Sequence, residues 1–174
     1  MEPPTILAIA AMGLDGNIAA HASQRADWTS KEDKALLRAL LARCDLTVVG
    51  RATYDTAPAW FAKRPCLVLT RSVADPERRG QRVTFANPER TELPSLFAGT
   101  ATVAILGGTQ VYTYFFERDL LDELCLTIEP VAFGTGLGLF ATPEPRPAPF
   151  QLVEATRLNE AGSFFFRYRR TRRA

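Results

Sequence analysis

Three short apolar runs in this chain each stop at a glycine, and that pattern constrains the fold more than any other feature. Ile6-Leu7-Ala8-Ile9-Ala10-Ala11-Met12 ends at Gly13, Leu46-Thr47-Val48-Val49 at Gly50, and Thr102-Val103-Ala104-Ile105-Leu106 at Gly107. Runs this short, without polar alternation, read as strands covered on both faces, and such strands require helices on either side. The intervening segments supply them. Between Lys31 and Arg43, Ala35, Leu36, Ala39, Leu40 and Arg43 recur at helical spacing, and Thr29-Ser30 offer N-cap oxygens three residues before Glu32 and Asp33. A short helix is expected from Gly50 through Thr53 and Tyr54. Another is expected near Pro94-Ser95-Leu96-Phe97, and a third from about Thr109 to Glu117 gathers Val111, Tyr112, Phe115 and Phe116. Cys66 to Thr70 and Arg82 to Phe85 read as further strands. This alternation predicts a mainly parallel α/β sheet clothed by helices.

After a strand-like stretch from Leu124 to Val131 the style changes. A Gly-rich turn and a Pro-rich loop from Thr142 to Pro149 lead to Phe150–Leu158 and Ser163–Arg170, which flank Asn159-Glu160-Ala161-Gly162 and predict an antiparallel hairpin. The sheet is therefore mixed. At 174 residues the whole chain, 1–174, is expected to form one domain.

Composition removes several function classes. Apolar residues are 47% and charged residues 23%, the balance of an ordinary globular protein and not of a disordered or fibrous one. Cys44, Cys66 and Cys125 lie far apart among apolar neighbours, which predicts reduced, buried thiols. With His21 the only histidine, a zinc site lacks its usual ligands and no metal is expected. The start Met1-Glu2-Pro3-Pro4 carries no basic leader and no apolar stretch is long enough for a membrane span, so a cytoplasmic protein is expected. Arg167, Arg169, Arg170, Arg172 and Arg173 crowd the C-terminus. A solvated strand edge explains them better than nucleic-acid binding, because no aromatic-basic interleaving recurs elsewhere.

Two strand-to-helix junctions could take an anion: Val49-Gly50-Arg51-Ala52-Thr53 and Leu106-Gly107-Gly108-Thr109-Gln110. Each exposes the N–H groups and the positive dipole end of a helix start, with glycine admitting a phosphate to the backbone. Neither carries a Rossmann or Walker fingerprint, and either glycine alone could simply turn the chain. Held on neighbouring strands, the two could clasp one pyrophosphate at the carboxyl edge of the sheet. Thr70-Arg71-Ser72, after the third strand, offers a cation and two hydroxyls to a further phosphomonoester, or else a plain exposed turn. Asp33 faces the sheet from the first turn of its helix. It serves either as a cap, which lowers a carboxyl pKa, or as a buried acid, which requires the opposite shift.

These residues resemble a known superfamily, the dihydrofolate reductases together with the reductase domain of riboflavin biosynthesis (RibD C-terminal domain). Leu14-Asp15-Gly16-Asn17-Ile18-Ala19 is similar to a Leu-Asp-Gly segment that follows the first strand in riboflavin-type reductases. Trp28-Thr29-Ser30-Lys31-Glu32-Asp33 resembles both branches, and its spacing from Trp28 points to Asp33. Val49 to Tyr54 resembles a Gly-Arg-x-Thr-aromatic motif, and Ile105 to Tyr112 a Gly-Gly motif that lies against a pyrophosphate. Leu121-Asp122-Glu123-Leu124, Pro130, Gly134-Thr135-Gly136 and Leu139-Phe140 resemble the riboflavin-type signature.

The resemblance implies a three-layer αβα fold and NADPH as cofactor. It places Ala11 and Ile18 beside the nicotinamide, and Gly50, Arg51, Thr53, Gly107, Gly108, Thr109, Gln110, Val111 and Tyr112 in the cofactor-binding motifs. Thr70, Arg71 and Ser72 fall at the adenosine phosphate end, and Asp33 is the catalytic residue at the substrate. It also implies hydride transfer to a pyrimidine- or pterin-like small molecule, most like the ribosylaminouracil phosphate reductase of riboflavin synthesis, and a homodimer, to which Phe164-Phe165-Phe166 would contribute. Tyr54-Asp55-Thr56-Ala57-Pro58 departs from the riboflavin-pathway pattern, and the Asp-Glu-Leu signature departs from that of dihydrofolate reductases. Dihydrofolate reduction and a non-catalytic nucleotide-binding role therefore remain as alternatives.

Overall fold

A computed structural model describes residues 2–171. Eleven strands are present among them: β1 (Thr5–Met12), β2 (Asn17–Ala19), β3 (Leu46–Gly50), β4 (Cys66–Leu69), β5 (Glu77–Arg79), β6 (Val83–Ala86), β7 (Thr102–Ile105), β8 (Glu123–Ile128), β9 (Leu137–Gly138), β10 (Phe150–Arg157) and β11 (Phe164–Arg170). The helices are α1 (Lys31–Leu41), α2 (Arg51–Thr56), α3 (Pro58–Phe61), α4 (Leu93–Leu96) and α5 (Thr109–Glu117), with a 3-10 turn at Ala26–Trp28. Nine strands make one sheet in the order β10-β11-β8-β1-β7-β3-β4-β6-β5, and β2 pairs with β9 in a separate ribbon. From β8 to β6 all neighbours are parallel, while β11 joins β8, β10 joins β11 and β5 joins β6 antiparallel. The carboxyl ends of six parallel strands thus share one edge, where strand-to-helix turns and ligands of open α/β sheets collect.

Both faces of the central strands are buried because residues alternate between two helix layers. Ile6, Ala8, Val48, Val103 and Ile105 meet Val111, Tyr112, Phe115 and Phe116 of α5, with Leu93 and Phe97 beside them. On the other face, Ile9, Ala104 and Cys125 pack under Leu36, Leu37 and Leu40 of α1. Val49, Val68 and Phe85 meet Phe61, with Tyr54 and Trp60. The three cysteines are free thiols; burial pushes Cys66 and Cys125 up to about 12.

Helix α1 ends at Leu41, two residues short of the periodic pattern, as the Ala42 N–H turns to the Arg38 and Leu40 carbonyls. The C-terminal hairpin forms with a bulge between Leu152 and Glu154. Its arginines are largely paired: Arg167 and Arg169 reach the buried Glu123, at 2.7 and 3.1 Å, and Arg170 reaches Asp119. Arg172 and Arg173 lie outside the described residues. No helix among the described residues is long and apolar enough to cross a membrane.

Phe115 is fully buried at the centre of the α5 layer and stacks on Phe97. Phe115→Ala is expected to lower unfolding stability by about 3–5 kcal/mol in a urea titration, the cost of a large cavity in a packed core.

Candidate functional site

At the shared strand edge the two glycine junctions meet. Strand register sets β3 beside β7, and the ladder continues past both ends: Leu106 N–H donates to Val48 O at 2.9 Å, and Gly50 N–H donates to Gly107 O at 2.7 Å. Gly50 then caps α2 and Gly108 caps α5, neither with a side-chain acceptor. Two helix starts therefore present their dipole ends side by side, joined by a hydrogen bond between their glycines. The Gly107-Gly108 peptide is cis.

The local packing explains which glycines are required by the fold. A Cβ on Gly50 would lie 3.0 Å from Val111 Cγ2 and one on Gly107 would lie 2.9 Å from the Tyr112 ring, at a φ of +89° that side chains disfavour. A Cβ on Gly108 would meet only Thr53 Oγ1, at 3.5 Å. Gly108 is therefore dispensable for internal packing and leaves its backbone accessible. Val111 and Tyr112 turn inward, and the buried Tyr112 hydroxyl donates to Ile9 O at 2.6 Å. Thr109 Oγ1 donates to Gly138 O at 2.6 Å, tying the start of α5 to β9.

The remaining cofactor candidates flank this pair. Leu69 is the β4 partner of Gly50, so Thr70-Arg71-Ser72 begins one strand away from the junction. Thr70 Oγ1 and Ser72 Oγ are 2.9 Å apart, and the exposed Arg71 lies 3.8 Å from Glu89. Arg51 is held by Asp55 through two 2.8 Å bonds from Nε. On the other side Ala11 lies near the end of β1, and Ile18 sits in β2, packed against the core.

The loop carrying Ile18 is fixed by Asp15, a residue whose role no local spacing reveals. Its Oδ2 accepts from the Phe133 and Gly134 N–H groups at 2.8 and 2.7 Å, 118 and 119 residues away. Desolvation pulls the Asp15 pKa up, but the hydrogen bonds from Gly134, Asn17 and Phe133 together outweigh it, and the net direction is down. Gly136 closes the arrangement, since a Cβ there would lie 2.4 Å from Ala19 O.

Asp33 is brought to the same edge from above. Ser30, not Asp33, caps α1: the Ser30 hydroxyl accepts from Asp33 N–H at 3.1 Å. The Asp33 side chain is free to turn inward and is 8% exposed, with the hydroxyls of Thr127 and Thr29 beside it. Thr127 is the β8 partner of Ala11, so Ala11 and Asp33 are linked through one residue of the sheet. Burial pushes the Asp33 carboxyl above its ordinary value; Thr127 and Thr29 pull it back, Glu129 pushes it further up and Lys34 opposes. Trp28 and Phe133 meet edge to face at 4.9 Å nearby in the chain, before α1 and after β8. Thr127, Glu129 and Phe133 escape sequence reading because their relation to α1 exists only across the folded sheet. Among the described residues no group of three His, Cys, Asp or Glu side chains could hold a metal ion.

Comparison with known proteins agrees with this architecture. The family model described as dihydrofolate reductase matches residues 5–171. The uncharacterized protein YwjB of Bacillus subtilis (strain 168) is 28% identical over 150 residues, 80% of this chain and 84% of that one. RibD of Acinetobacter baumannii superposes with a TM-score of 0.80 at 16% identity, over 97% of this chain and 58% of that chain. The dihydrofolate reductase of Enterococcus faecalis, complexed with NADP(H) and RAB-propyl, superposes with a TM-score of 0.70 at 20% identity, over 97% of both chains. At these identities the solved structures speak for the fold.

A carboxyl whose native pKa lies above its unfolded value makes stability fall as pH rises from the unfolded value, near about 3.9, through the native one. Asp33→Asn keeps a polar oxygen beside the two threonines and carries no charge to bury. It is expected to unfold at higher urea than the wild type at pH 7, and the advantage should vanish near about pH 3, where Asp33 is protonated in both states.

Proposed function

The chain belongs to the dihydrofolate reductase family, and from that premise we propose that residues 1–174 form one NADPH-dependent reductase domain acting on a pyrimidine- or pterin-like small molecule. Its nearest named activity is the 5-amino-6-(5-phosphoribosylamino)uracil reductase step of riboflavin biosynthesis, carried out in the cytoplasm. The observation that carries the reading is the direct hydrogen bond between Gly50 and Gly107. It sets two uncapped helix starts within reach of a single diphosphate, with Gly108 leaving the backbone open on that side.

The residues present fit a dinucleotide. Gly50, Arg51 and Thr53 on one junction and Gly107, Gly108, Thr109 and Gln110 on the other would hold the diphosphate, while Val111 and Tyr112 support that turn from within. Thr70, Arg71 and Ser72 would receive the additional phosphate of the adenosine end. Ala11 and Ile18 would border the nicotinamide. When bound, NADPH supplies the hydride. The protein orients the substrate against Ala11 and offers the Asp33 carboxyl to a ring nitrogen. Burial keeps a proton on that carboxyl to higher pH than on a solvated aspartate, so Asp33 can donate it to the nitrogen as the adjacent carbon is reduced.

We propose further that two copies associate through the outer face of the hairpin. Phe164, Phe166 and Tyr168 stack there at 6.2 Å intervals, and Leu152 beside them is 50% exposed, whereas Phe165 turns inward beneath α1. Sedimentation at micromolar concentration should return the dimer mass, and Phe166→Glu should return the monomer.

Gly108→Ala, whose added Cβ would meet only Thr53 Oγ1, is expected to keep the fold and to lose NADPH binding at least about tenfold, because the diphosphate must approach that backbone. Quenching of tryptophan fluorescence by NADPH measures it, and an unchanged Kd removes the cofactor assignment.

A further inference from the structure

Glu129 follows β8 directly and is 4% exposed, yet both its carboxylate oxygens are engaged. Oε1 accepts from Ser30 N–H at 2.8 Å and from Ser30 Oγ at 2.7 Å, and Oε2 accepts from Ser163 Oγ. Each serine hydroxyl is itself an acceptor, Ser30 from Asp33 N–H at 3.1 Å and Ser163 from Asn159 Nδ2 at 3.0 Å. A hydroxyl has a single proton, so both serines direct theirs to Glu129. Asn159 also accepts from the Gly162 and Ser163 N–H groups and donates to Glu32 at 3.2 Å. One network therefore joins the hairpin turn to the first turn of α1, with Glu129 as its only acid that receives both serine hydroxyls.

Capping α1 does not require Glu129, since the Ser30 hydroxyl already receives the Asp33 N–H. A buried carboxylate next to a second buried carboxyl is costly, yet only a carboxylate offers an acceptor oxygen to each of the two serines. We infer that Glu129 is the positioning residue of this site: it fixes Ser30, and through it the first turn of α1, and sets a negative charge beside the carboxyl that meets the substrate. This rests on the reading of Asp33 given above.

The charged groups that act on Asp33 are Glu129, from the end of β8, and Lys34 on its own helix; Thr29 and Thr127 beside it are uncharged. Lys34 Nζ is bound to the Thr29 carbonyl at 2.8 Å and to the Asp27 carbonyl at 3.4 Å, while Glu32 is engaged by Asn159 and lies 3.8 Å from Lys31. Burial is the larger cause of the upward shift at Asp33, and Glu129 works in the same direction.

Glu129→Gln and Glu129→Ala in the whole chain separate charge from geometry. The glutamine carbonyl can still accept from Ser30 and its amide can donate to Ser163 Oγ, whereas alanine removes both contacts. Asp33 is followed first without cofactor or substrate, by the pH dependence of its 13Cγ resonance. In Glu129→Gln the midpoint should move to lower pH. Second, the pH profile of kcat/KM is measured for NADPH oxidation with dihydrofolate. The limb on which activity falls as Asp33 loses its proton should move to lower pH in Glu129→Gln. Glu129→Ala should lose about tenfold in kcat at every pH, the effect of a displaced carboxyl. A resonance midpoint that stays in place or rises in Glu129→Gln overturns the inference, as does a Glu129→Ala protein that matches Glu129→Gln in both measurements. If the midpoint falls while neither wild type nor variants bind or oxidise NADPH, the hold of Glu129 on Asp33 stands and the reductase reading fails.

Discussion

The hydrogen bond from Gly50 N–H to Gly107 O, 2.7 Å long, is the constraint around which the strand edge is organised. It is the last rung of the β3–β7 ladder, made after both strands have begun to turn into helices. Because the rung is backbone to backbone, it holds the two turns together whatever side chains surround them, and the first N–H groups of each helix that follows have no intrahelical carbonyl. Val111 and Tyr112 fill the space beneath, so a side chain on Gly107 would collide with the Tyr112 ring and one on Gly50 would press against Val111. Everything placed along the edge, from Thr70 on one side to Asp33 on the other, takes its position from strands whose spacing this pairing continues.

Much of this architecture is legible in the sequence, for a physical reason. β1, β3 and β7 are covered on both faces, so their apolar runs are uninterrupted, and the glycine that ends each run marks where the backbone must bend. The start of α1 and the terminal hairpin are equally local and equally readable. β5 is not: Glu77-Arg78-Arg79 is exposed and charged throughout, and it is a strand only because β6 offers it an edge. The β2–β9 ribbon is likewise made by contact, with two and three residues per strand.

The site divides along the same line. Its glycines and its Thr-Arg-Ser turn lie within short motifs, whereas the groups that decide the character of Asp33 come from far along the chain. Ser30 and Glu129 are separated by 99 residues, and Thr127 reaches Asp33 from the strand beyond the one that begins the fold. Composition leaves Asp33 poised between cap and acid. The cap is taken by Ser30, one turn earlier, and the aspartate side chain is thereby released into the interior. A carboxyl buried in this way lowers conformational stability, a cost often met at functional sites.

The pairing of β8 with β11 has a further consequence. Alternation of buried and exposed side chains forbids a slip by one residue, which would turn Phe165 outward, but a slip by two leaves every side chain on its own face. What distinguishes the observed alignment from that rival is polar. Glu123 faces Arg169 at one end of the strand pair, and Glu129 meets Ser163 at the other. Sliding by two would leave Glu129 without the Ser163 hydroxyl and break the two-arginine clasp that Arg167 and Arg169 now make on Glu123. The two acids act as dowels at either end of a joint, and the hairpin can close on the sheet in only one alignment that satisfies both.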